Sequence, residues 1–264
     1  MTEGHRFTFA EAGPSKMTAE VVGRFIAAFQ RKDPSVVRDL VAADCVMEAM
    51  QPAPNGQRVE GYEANVAFWQ AMVADPGGTF EVEDVVICGD RATNRWRYRF
   101  GQDEESSVRG VTLIVVRDGK IAEALAYAKT APRTTLGQDG ASASSAAGRT
   151  TSEVIQRFND AFQRHDATLL SELIAADCII ENSTPAPNGS RHEGKKACLE
   201  LWGRLATSPD LQFDTEEVFV AGERAVIRWR LRWGEGENKS VRGVNVMRVR
   251  DGLIVEALGY SKGA

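Results

Sequence analysis

Residues 107–129 read SVRGVTLIVVRDGKIAEALAYAK, and residues 240–262 read SVRGVNVMRVRDGLIVEALGYSK. In both stretches a run rich in β-branched residues reaches an Asp-Gly pair and is followed by a second apolar run. An Asp-Gly pair between two such runs is a strong signal for a two-residue β-hairpin loop. The stretch therefore predicts two long antiparallel strands, and its recurrence predicts that one fold is built twice.

The similarity extends well beyond this hairpin. Residue i reappears at i+133 without a gap from about Met17 to Thr130, and roughly half of the aligned positions are identical. Each copy has about 115 residues, far more than a solenoid repeat, so we interpret it as a duplicated domain. Small residues without periodicity at 140–148 predict a flexible connection. The predicted organisation is a tail at 1–16, copy 1 at 17–130, a linker at 131–149 and copy 2 at 150–264.

Periodicity predicts three helices in each copy. In copy 1, apolar residues recur at helical spacing after Thr18, which we take as the N-cap of the first helix. Asp33-Pro34 is a capping residue followed by proline, and it predicts a short second helix that reaches Val41. The apolar residues of the third helix are Ala64, Phe68 and Met72, with Trp69 beside them.

The remaining segments predict strands, namely 45–50, 80–88, 91–100, 107–117 and 121–129. Alternation is clearest at 225–233, where Arg228, Arg230 and Arg232 separate apolar residues, the period of a strand with two distinct faces. Three helices packed on a curved antiparallel sheet make an α+β fold. We therefore predict two tandem cone-shaped α+β domains. The gapless duplication leads to the hypothesis that they pair as an internal pseudo-dimer, which small-angle scattering can test.

Composition argues against several classes of function. The chain of 264 residues has a net charge of −5, a pI near 5.4 and no block of five or more Lys or Arg residues. These values argue against nucleic-acid and anionic-membrane partners. No apolar run approaches the roughly 20 residues that span a bilayer. The tail has no apolar signal core, so we expect a cytoplasmic protein.

The sequence contains no metal or cofactor motif. Cys45, Cys88, Cys178 and Cys198 form no C-x-x-C pair and have no histidine at ligand spacing, so we predict buried, reduced thiols. There is no G-x-G-x-x-G sequence and no P-loop. We therefore expect neither a bound metal nor a cofactor.

Three motifs occur in both copies: an opening Arg-Phe-x-x-Ala-Phe-Gln-x-x-Asp helix, an Ala-Asp-Cys-x-x-Glu strand, and a terminal Val-Arg-Gly-Val…Arg-Asp-Gly-x-Ile…Tyr pattern. Together they resemble the ketosteroid isomerase-like and SnoaL-like branch of the nuclear-transport-factor-2-like superfamily. The resemblance covers both copies almost end to end and implies the cone fold. That fold hosts isomerases, cyclases, dehydratases, epoxide hydrolases and non-catalytic binders, so the resemblance does not imply one reaction.

The catalytic groups of these relatives are not retained in the sequence. By the resemblance, the isomerase's oxyanion-donating tyrosine falls at Phe25 and Phe158. Its general base falls at Ala49 and Asn182, and its protonated aspartate falls at Thr112 and Asn245. The two epoxide hydrolase aspartates fall at Arg97 and Arg230, and near Ala126 and Gly259. Neither set is complete in either copy, so we expect neither activity.

Two carboxylates and two amides are the candidate catalytic residues. Glu48 and Glu181 lie one residue before the isomerase's base position, where a carboxylate among apolar neighbours could act as acid or base. Alternatively, strand parity turns each of them outward to pair with an arginine. Asn182 and Asn245 could orient a substrate carbonyl or hold a water, or they could bond to their own backbone. Copy 1 lacks both amides, so an active pocket is expected in copy 2.

Eight further residues are predicted to line the pocket, namely Phe158, Trp202, Met247, Gly259, Phe25, Trp69, Thr112 and Ala126. The small residues on one face of the last strand leave room for a ligand if they point inward, or allow close packing of a second sheet if they point outward. The Pro-Ala-Pro-Asn-Gly loop is either a lid or a rigid turn.

Rows of arginines follow one face of a strand in each copy, at 95, 97 and 99 and at 228, 230 and 232. They either bind an anionic ligand or form an outer face, paired with Glu123 and Glu256 or lying at a domain interface.

These features predict a cofactor-independent acid–base enzyme of isomerase, cyclase or dehydratase type that acts on a small, mostly apolar metabolite. In it Glu181 is the acid or base, while Asn182 and Asn245 orient a carbonyl or hydroxyl. The alternatives are a binding or sequestration protein with the same pocket, and a structural interaction module. The expected partners are a small apolar or amphipathic molecule, the other copy through pairing, and a second chain in a homodimer.

Overall fold

The computed structural model describes residues 6–9, 13–103, 105–131 and 149–263. These residues fall into two compact units. The copy-1 unit contains residues 11–130, 186–188 and 262–264, and the copy-2 unit contains residues 1–10, 131–185 and 189–261. Residues 132–148 of the predicted linker, and residues 1–5 and 10–12 of the predicted tail, lie outside the described part.

Helix α1 of the copy-1 unit runs from Lys16 to Arg31. Its N-cap is Ser15, whose hydroxyl accepts a hydrogen bond from the Thr18 amide at 3.2 Å. The prediction of Thr18 as the N-cap is therefore wrong. Serine and threonine are both good caps, and here Thr18 instead donates its hydroxyl to the Gly89 carbonyl at 2.8 Å.

The segment after α1 begins as the sequence predicts. Asp33 caps a 3₁₀ turn, Pro34–Val36, by accepting the Ser35 amide at 3.0 Å, and the turn continues into helix α2, Val37–Leu40. Proline fits the first position because it has no N–H to leave unpaired. Val41 already belongs to the following strand.

Helix α3, Tyr62–Ala74, buries a different face from the predicted one. Its buried residues are Asn65, Val66, Trp69 and Val73, whereas Met72 is 46% exposed. The amide of Asn65 donates to the carbonyls of Cys45 and Gly61 at 2.9 and 2.7 Å, so a polar residue occupies the buried stripe. A pattern of apolar residues alone misplaces this stripe because it counts asparagine as a surface residue.

The first strand of the chain, β1 Arg6–Phe9, belongs to the copy-2 unit. The copy-1 sheet begins with β2 and is mainly antiparallel. Its strands are β2 Val41–Glu48, β3 Arg58–Glu60, β4 Thr79–Cys88, β5 Arg91–Arg99, β6 Ser107–Arg117 and β7 Lys120–Ala128. The antiparallel order is β4-β5-β6-β7. Strand β2 runs parallel to β7, and β3 pairs with β2. Register shifts within β4 and β7 mark bulges, which bend a sheet.

The copy-2 unit repeats this plan. Its elements are α4 Thr151–Gln163, a 3₁₀ helix Ala167–Glu172, β8 Ile174–Glu181, β9 Arg191–Glu193, α5 Gly194–Thr207, β10 Gln212–Ala221, β11 Arg224–Arg232, a 3₁₀ turn Glu237–Lys239, β12 Ser240–Arg250 and β13 Leu253–Ser261. The antiparallel order is β10-β11-β12-β13, β8 runs parallel to β13, and β1 runs parallel to β10. The predicted α+β class, with helices packed on a curved antiparallel sheet, is confirmed.

Each unit has its own core, crossed by a chain of touching aromatic rings. In the copy-1 unit the rings are Trp69, Phe25, Phe29, Phe80 and Trp96, with centroids 5.0 to 5.8 Å apart. In the copy-2 unit they are Trp202, Phe158, Phe162, Phe213 and Trp229, at 4.7 to 5.7 Å. These rings join the helices to the inner face of the sheet, the face on which the helices pack.

The four cysteines are buried free thiols, as predicted. Burial, with a smaller contribution from Asp44, raises the pKa of Cys45 to about 12, so this side chain is a neutral thiol. Within the described residues, no helix has the length and apolar character needed to cross a membrane.

Candidate functional site

A row of residues, here called the central row, crosses the inner face of each sheet. In the copy-1 unit the strand registers align Val85, Asn94, Thr112 and Ala126. In the copy-2 unit they align Val218, Ile227, Asn245 and Gly259. The row lies on the inner face because Ala92 and Ile114, two residues away along β5 and β6, belong to the core.

The central row of the copy-2 unit continues to the end of β8. Ala257 is in register with Ile180, so Gly259 and Asn182 follow two residues further on. A Cβ placed on Gly259 would lie 3.2 Å from the Ser183 nitrogen and 3.5 Å from Oδ1 of Asn245. The structure therefore brings together three residues that the resemblance singled out, namely Asn182, Asn245 and Gly259.

The glycine of the Val-Arg-Gly-Val motif makes room for a tryptophan on the neighbouring strand. A Cβ on Gly110 would lie 2.3 Å from Cζ2 of Trp96, so the indole ring lies directly against the backbone there. In this position Trp96 donates its Nε1 hydrogen to the hydroxyl of Thr112 at 3.0 Å. The motif thus orients an indole N–H along the inner face.

The same indole in the copy-2 unit has a different environment. Trp229 covers Gly243 as Trp96 covers Gly110. Asn245 replaces Thr112, and its Oδ1 lies near Gly259 on the next strand. Within the described part of the chain, the buried Nε1 of Trp229 has no hydrogen-bond partner. A buried donor of this kind can bind an acceptor oxygen of a ligand.

Asn182 lies beside the central row but bonds to the backbone next to it. Its Oδ1 accepts the amide of Ser183 at 2.9 Å, which is one of the two arrangements that the sequence left open. The backbone N–H of Asn182 donates to the Ser190 carbonyl at 2.8 Å. Asn182 therefore shapes the chain at the end of β8.

Glu48 and Glu181 are turned away from the central row. In register, Glu181 lies between Leu258 and Arg191, and its neighbour Ile180 is the residue that enters the core. Its Oε1 is 3.0 Å from Nη1 of Arg191. Glu48 pairs in the same way with Arg58 at 3.1 Å. These are the arginine pairs that the alternative interpretation of the sequence described.

His192 is a candidate that sequence reasoning missed. It lies on β9 in register with Ile180, and residues paired in this way share a face of the sheet, so it faces the inner side. Its Nε2 is 3.2 Å from the Ser190 hydroxyl. Burial lowers the pKa of His192, and the charge of Arg204 lowers it further, so the ring is neutral at neutral pH. A comparison of the two copies could have revealed His192, because copy 1 has Val59 at the equivalent position.

We expect His192 to make stability depend on pH. Its pKa in the folded protein lies below the ordinary value of 6.5, so the unfolded chain binds the proton more readily. Its contribution to stability is complete above that value and decreases as the pH falls below it. His192→Val, the residue of copy 1, should flatten the dependence in denaturant unfolding from about pH 8 to about pH 5. An unchanged pH dependence would contradict the lowered pKa.

The other predicted pocket residues divide into two groups. Phe25, Trp69, Phe158, Trp202 and Met247 are buried in the two cores. Thr112 and Ala126 belong to the central row and are partly exposed. Their lining of a pocket remains a prediction, and partial exposure of the second group indicates that the row is reachable from solvent.

The arginine rows pair with carboxylates of the adjacent strand. Arg95 contacts Glu83 at 3.3 Å, and Arg230 contacts Glu216 at 3.4 Å. The same two carboxylates also pair with arginines outside the rows, Arg109 of β6 at 2.7 Å and Arg242 of β12 at 2.8 Å. Pairing of the row arginines with Glu123 and Glu256 remains a prediction. Arg224, at the start of β11, reaches Glu256 at 3.7 Å although β12 lies between their strands. Strands β4 and β10 are the direct neighbours and provide the carboxylates.

Within residues 6–9, 13–103, 105–131 and 149–263, no three His, Cys, Asp or Glu side chains cluster as metal ligands would.

The sequence profile of the SnoaL-like domain matches residues 22–124 and 155–257, which together make up most of the chain. The chain belongs to the SnoaL-like domain family. Each match covers one copy, so the family fold occurs twice. Among curated proteins, none matches this sequence.

The search of solved structures found proteins that each match less than half of this chain. An NTF2-like protein of unknown function from Mesorhizobium loti is 58% identical over 43% of this chain and 91% of its own, with a TM-score of 0.40. A protein from Sinorhizobium meliloti, provisionally named a polyketide cyclase, is 23% identical over 40% and 93%, with a TM-score of 0.34. One from Kribbella flavida, provisionally named a ketosteroid isomerase, is 18% identical over 47% and 85%, with a TM-score of 0.39.

Proposed function

We propose that the copy-2 unit is a cofactor-independent acid–base enzyme for a small, mostly apolar metabolite, of isomerase, cyclase or dehydratase type. One observation carries the proposal: the inner face of this unit combines an indole N–H that has no partner within the described residues, the Asn245 amide and a neutral imidazole, next to the apolar core. Donors fixed in an apolar setting stabilise charge that develops on a substrate oxygen.

Each of these groups has its own role in the proposed reaction. Trp229 Nε1 and the Asn245 amide bind a carbonyl or hydroxyl oxygen of the substrate, beside the space that Gly259 leaves open. His192 is neutral and can accept a proton. Glu181, the acid or base predicted from the sequence, acts through its pair with Arg191, because that pair ties β8 to the strand that carries His192.

Proton exchange on a simple ketone tests this proposal without knowledge of the natural substrate. We expect the protein to accelerate deuterium incorporation next to the carbonyl of 2-tetralone in heavy water, followed by NMR. A positioned general base contributes about 10²- to 10⁴-fold, so His192→Val should remove most of the acceleration. Trp229→Phe should weaken it, since the oxygen loses a donor.

Two further variants serve as controls in the same assay. His165 follows α4 with a positive φ of 54°, a conformation that asparagine tolerates, so His165→Asn should leave the exchange rate unchanged. Glu181→Gln should lower the rate less than His192→Val if Glu181 only positions β9. An unaccelerated exchange in the parent protein would contradict the enzyme proposal.

A non-catalytic binding protein is the second candidate. The ion pairs of Glu181 and Glu48 favour it, because both predicted carboxylates are turned from the central row. It predicts that 2-tetralone binds without exchange, and that native mass spectrometry of gently purified protein retains a small molecule. An interaction module predicts that neither is observed. Pairing of the copies and homodimer formation remain predictions, which the mass and small-angle scattering test.

A further inference from the structure

The central rows of the two units carry their polar groups on different strands. In the copy-1 unit the row has an asparagine on β5, Asn94, where the copy-2 unit has Ile227. In the copy-2 unit the asparagine is instead on β12, Asn245, where the copy-1 unit has Thr112. The duplicated chain has therefore placed an amide at two different points of one framework.

The buried side chain of Asn94 lowers the stability of the copy-1 core. It is 1% exposed, and its Oδ1 has no hydrogen-bond partner within the described residues. Burial of an amide oxygen without a partner destabilises a fold, and such groups are rare in native proteins. The equivalent position accepts isoleucine, so the fold does not require a polar side chain there.

The neighbours of Asn94 determine which group would satisfy it. Thr112 is in register with Asn94, and its hydroxyl oxygen already accepts the Trp96 indole N–H, so its own hydrogen is available for another acceptor. A hydroxyl group between the two can donate to Oδ1 of Asn94 and accept from Thr112. The rings of Trp96 and Phe80, with centroids 5.8 Å apart, add an apolar aromatic surface beside this point.

We propose that the copy-1 unit holds a second small-molecule site, which takes a hydroxyl group on a flat apolar ring, such as a phenol. The partly exposed Thr112 and Ala126 give access to it from the inner face. The copy-2 row differs at this point, because Ile227 offers no acceptor and the Trp229 N–H has no partner within the described residues. This inference does not depend on catalysis in the copy-2 unit.

Two probes that share one ring test the proposal. 2-Naphthol can donate and accept a hydrogen bond, whereas 2-methoxynaphthalene can only accept. In protein labelled with 5-fluorotryptophan, with the Trp96 signal assigned through Trp96→Phe, we expect 2-naphthol to shift that signal in fluorine NMR. The methoxy compound should bind at least about tenfold more weakly, because it cannot donate to Asn94. Equal affinity for both probes, or a Trp96 signal that 2-naphthol does not shift, overturns the proposal.

The chain itself offers the matched variant. Asn94→Ile copies Ile227 and should weaken 2-naphthol binding at least about tenfold while raising the melting temperature, since a buried polar atom is removed. Asn94→Leu, of similar size, should do the same. A lower melting temperature together with unchanged 2-naphthol affinity would show that Asn94 is structural, or bound to a buried water, and would overturn the proposal.

Discussion

We expect Gly243→Ala to lower the free energy of unfolding of the copy-2 unit by about 1–3 kcal/mol, the usual cost of overpacking a filled core. A Cβ at this position would lie 2.2 Å from Cη2 and 2.3 Å from Cζ2 of Trp229. Carbon atoms cannot approach so closely, and the indole is held by Phe213 at a centroid distance of 5.7 Å. Denaturant unfolding measures the loss.

Two control variants make this prediction specific. Gly23 lies within helix α1 and has no atom within 4 Å of its would-be Cβ, so Gly23→Ala should stabilise the chain by about 0.5–1 kcal/mol. In the double variant with Trp229→Phe, the outer part of the indole is absent, so Gly243→Ala should cost less than it does alone. Equal stability of Gly243→Ala and the parent protein would contradict the close packing of this pair.

Lys262→Met should destabilise the copy-1 unit by about 3 kcal/mol, the loss typical of breaking a buried charge pair. The side chain of Lys262 is fully buried, and its ammonium group donates to the carbonyls of Ala49 and Ala126, both at 2.9 Å. It also lies 4.4 Å from the ring centre of Tyr127 and 3.8 Å from Oε2 of Glu48. Methionine fills similar space but leaves both carbonyls without this donor.

Lys120→Met is the matched control for this substitution. Lys120 also donates to a backbone carbonyl, that of Asp39 at 3.0 Å, but its surroundings are exposed. Surface changes of this kind seldom alter stability measurably. If the two lysine variants unfold at the same denaturant concentration, the buried ammonium group of Lys262 contributes nothing.

The fold was predictable to the extent that it rests on local signals. Strand β6 has the predicted bounds, Ser107 to Arg117, because Asp118-Gly119 fixes the hairpin. The errors arose where two local signals compete or where a polar residue is buried. Ser15 and Thr18 are both acceptable caps, and only the Gly89 carbonyl assigns Thr18 its other role. Asn65 enters the core through its amide hydrogen bonds, which hydrophobic periodicity cannot reveal.

The candidate site was predictable in part. The resemblance pointed to Asn182, Asn245 and Gly259, and the strand registers bring them together. The roles proposed for Trp229 and Asn94 were not predictable, because they depend on which of their polar atoms find no hydrogen-bond partner among the described residues of the folded chain. His192 could have been found by comparing the copies position by position, since a histidine opposite a valine is a change of chemistry within a shared framework.

The segment that follows β13 belongs to the copy-1 unit, although β13 itself belongs to the copy-2 unit. Gly263 donates its amide to the Met50 carbonyl at 2.7 Å and accepts the amide of Ala53, so the last described residues complete the copy-1 unit. Truncation before Lys262 would therefore leave the described strands of the copy-2 unit intact and destabilise the copy-1 unit instead. An affinity tag joined directly after Gly263 would likewise begin beside Met50 and Ala53 of the first repeat.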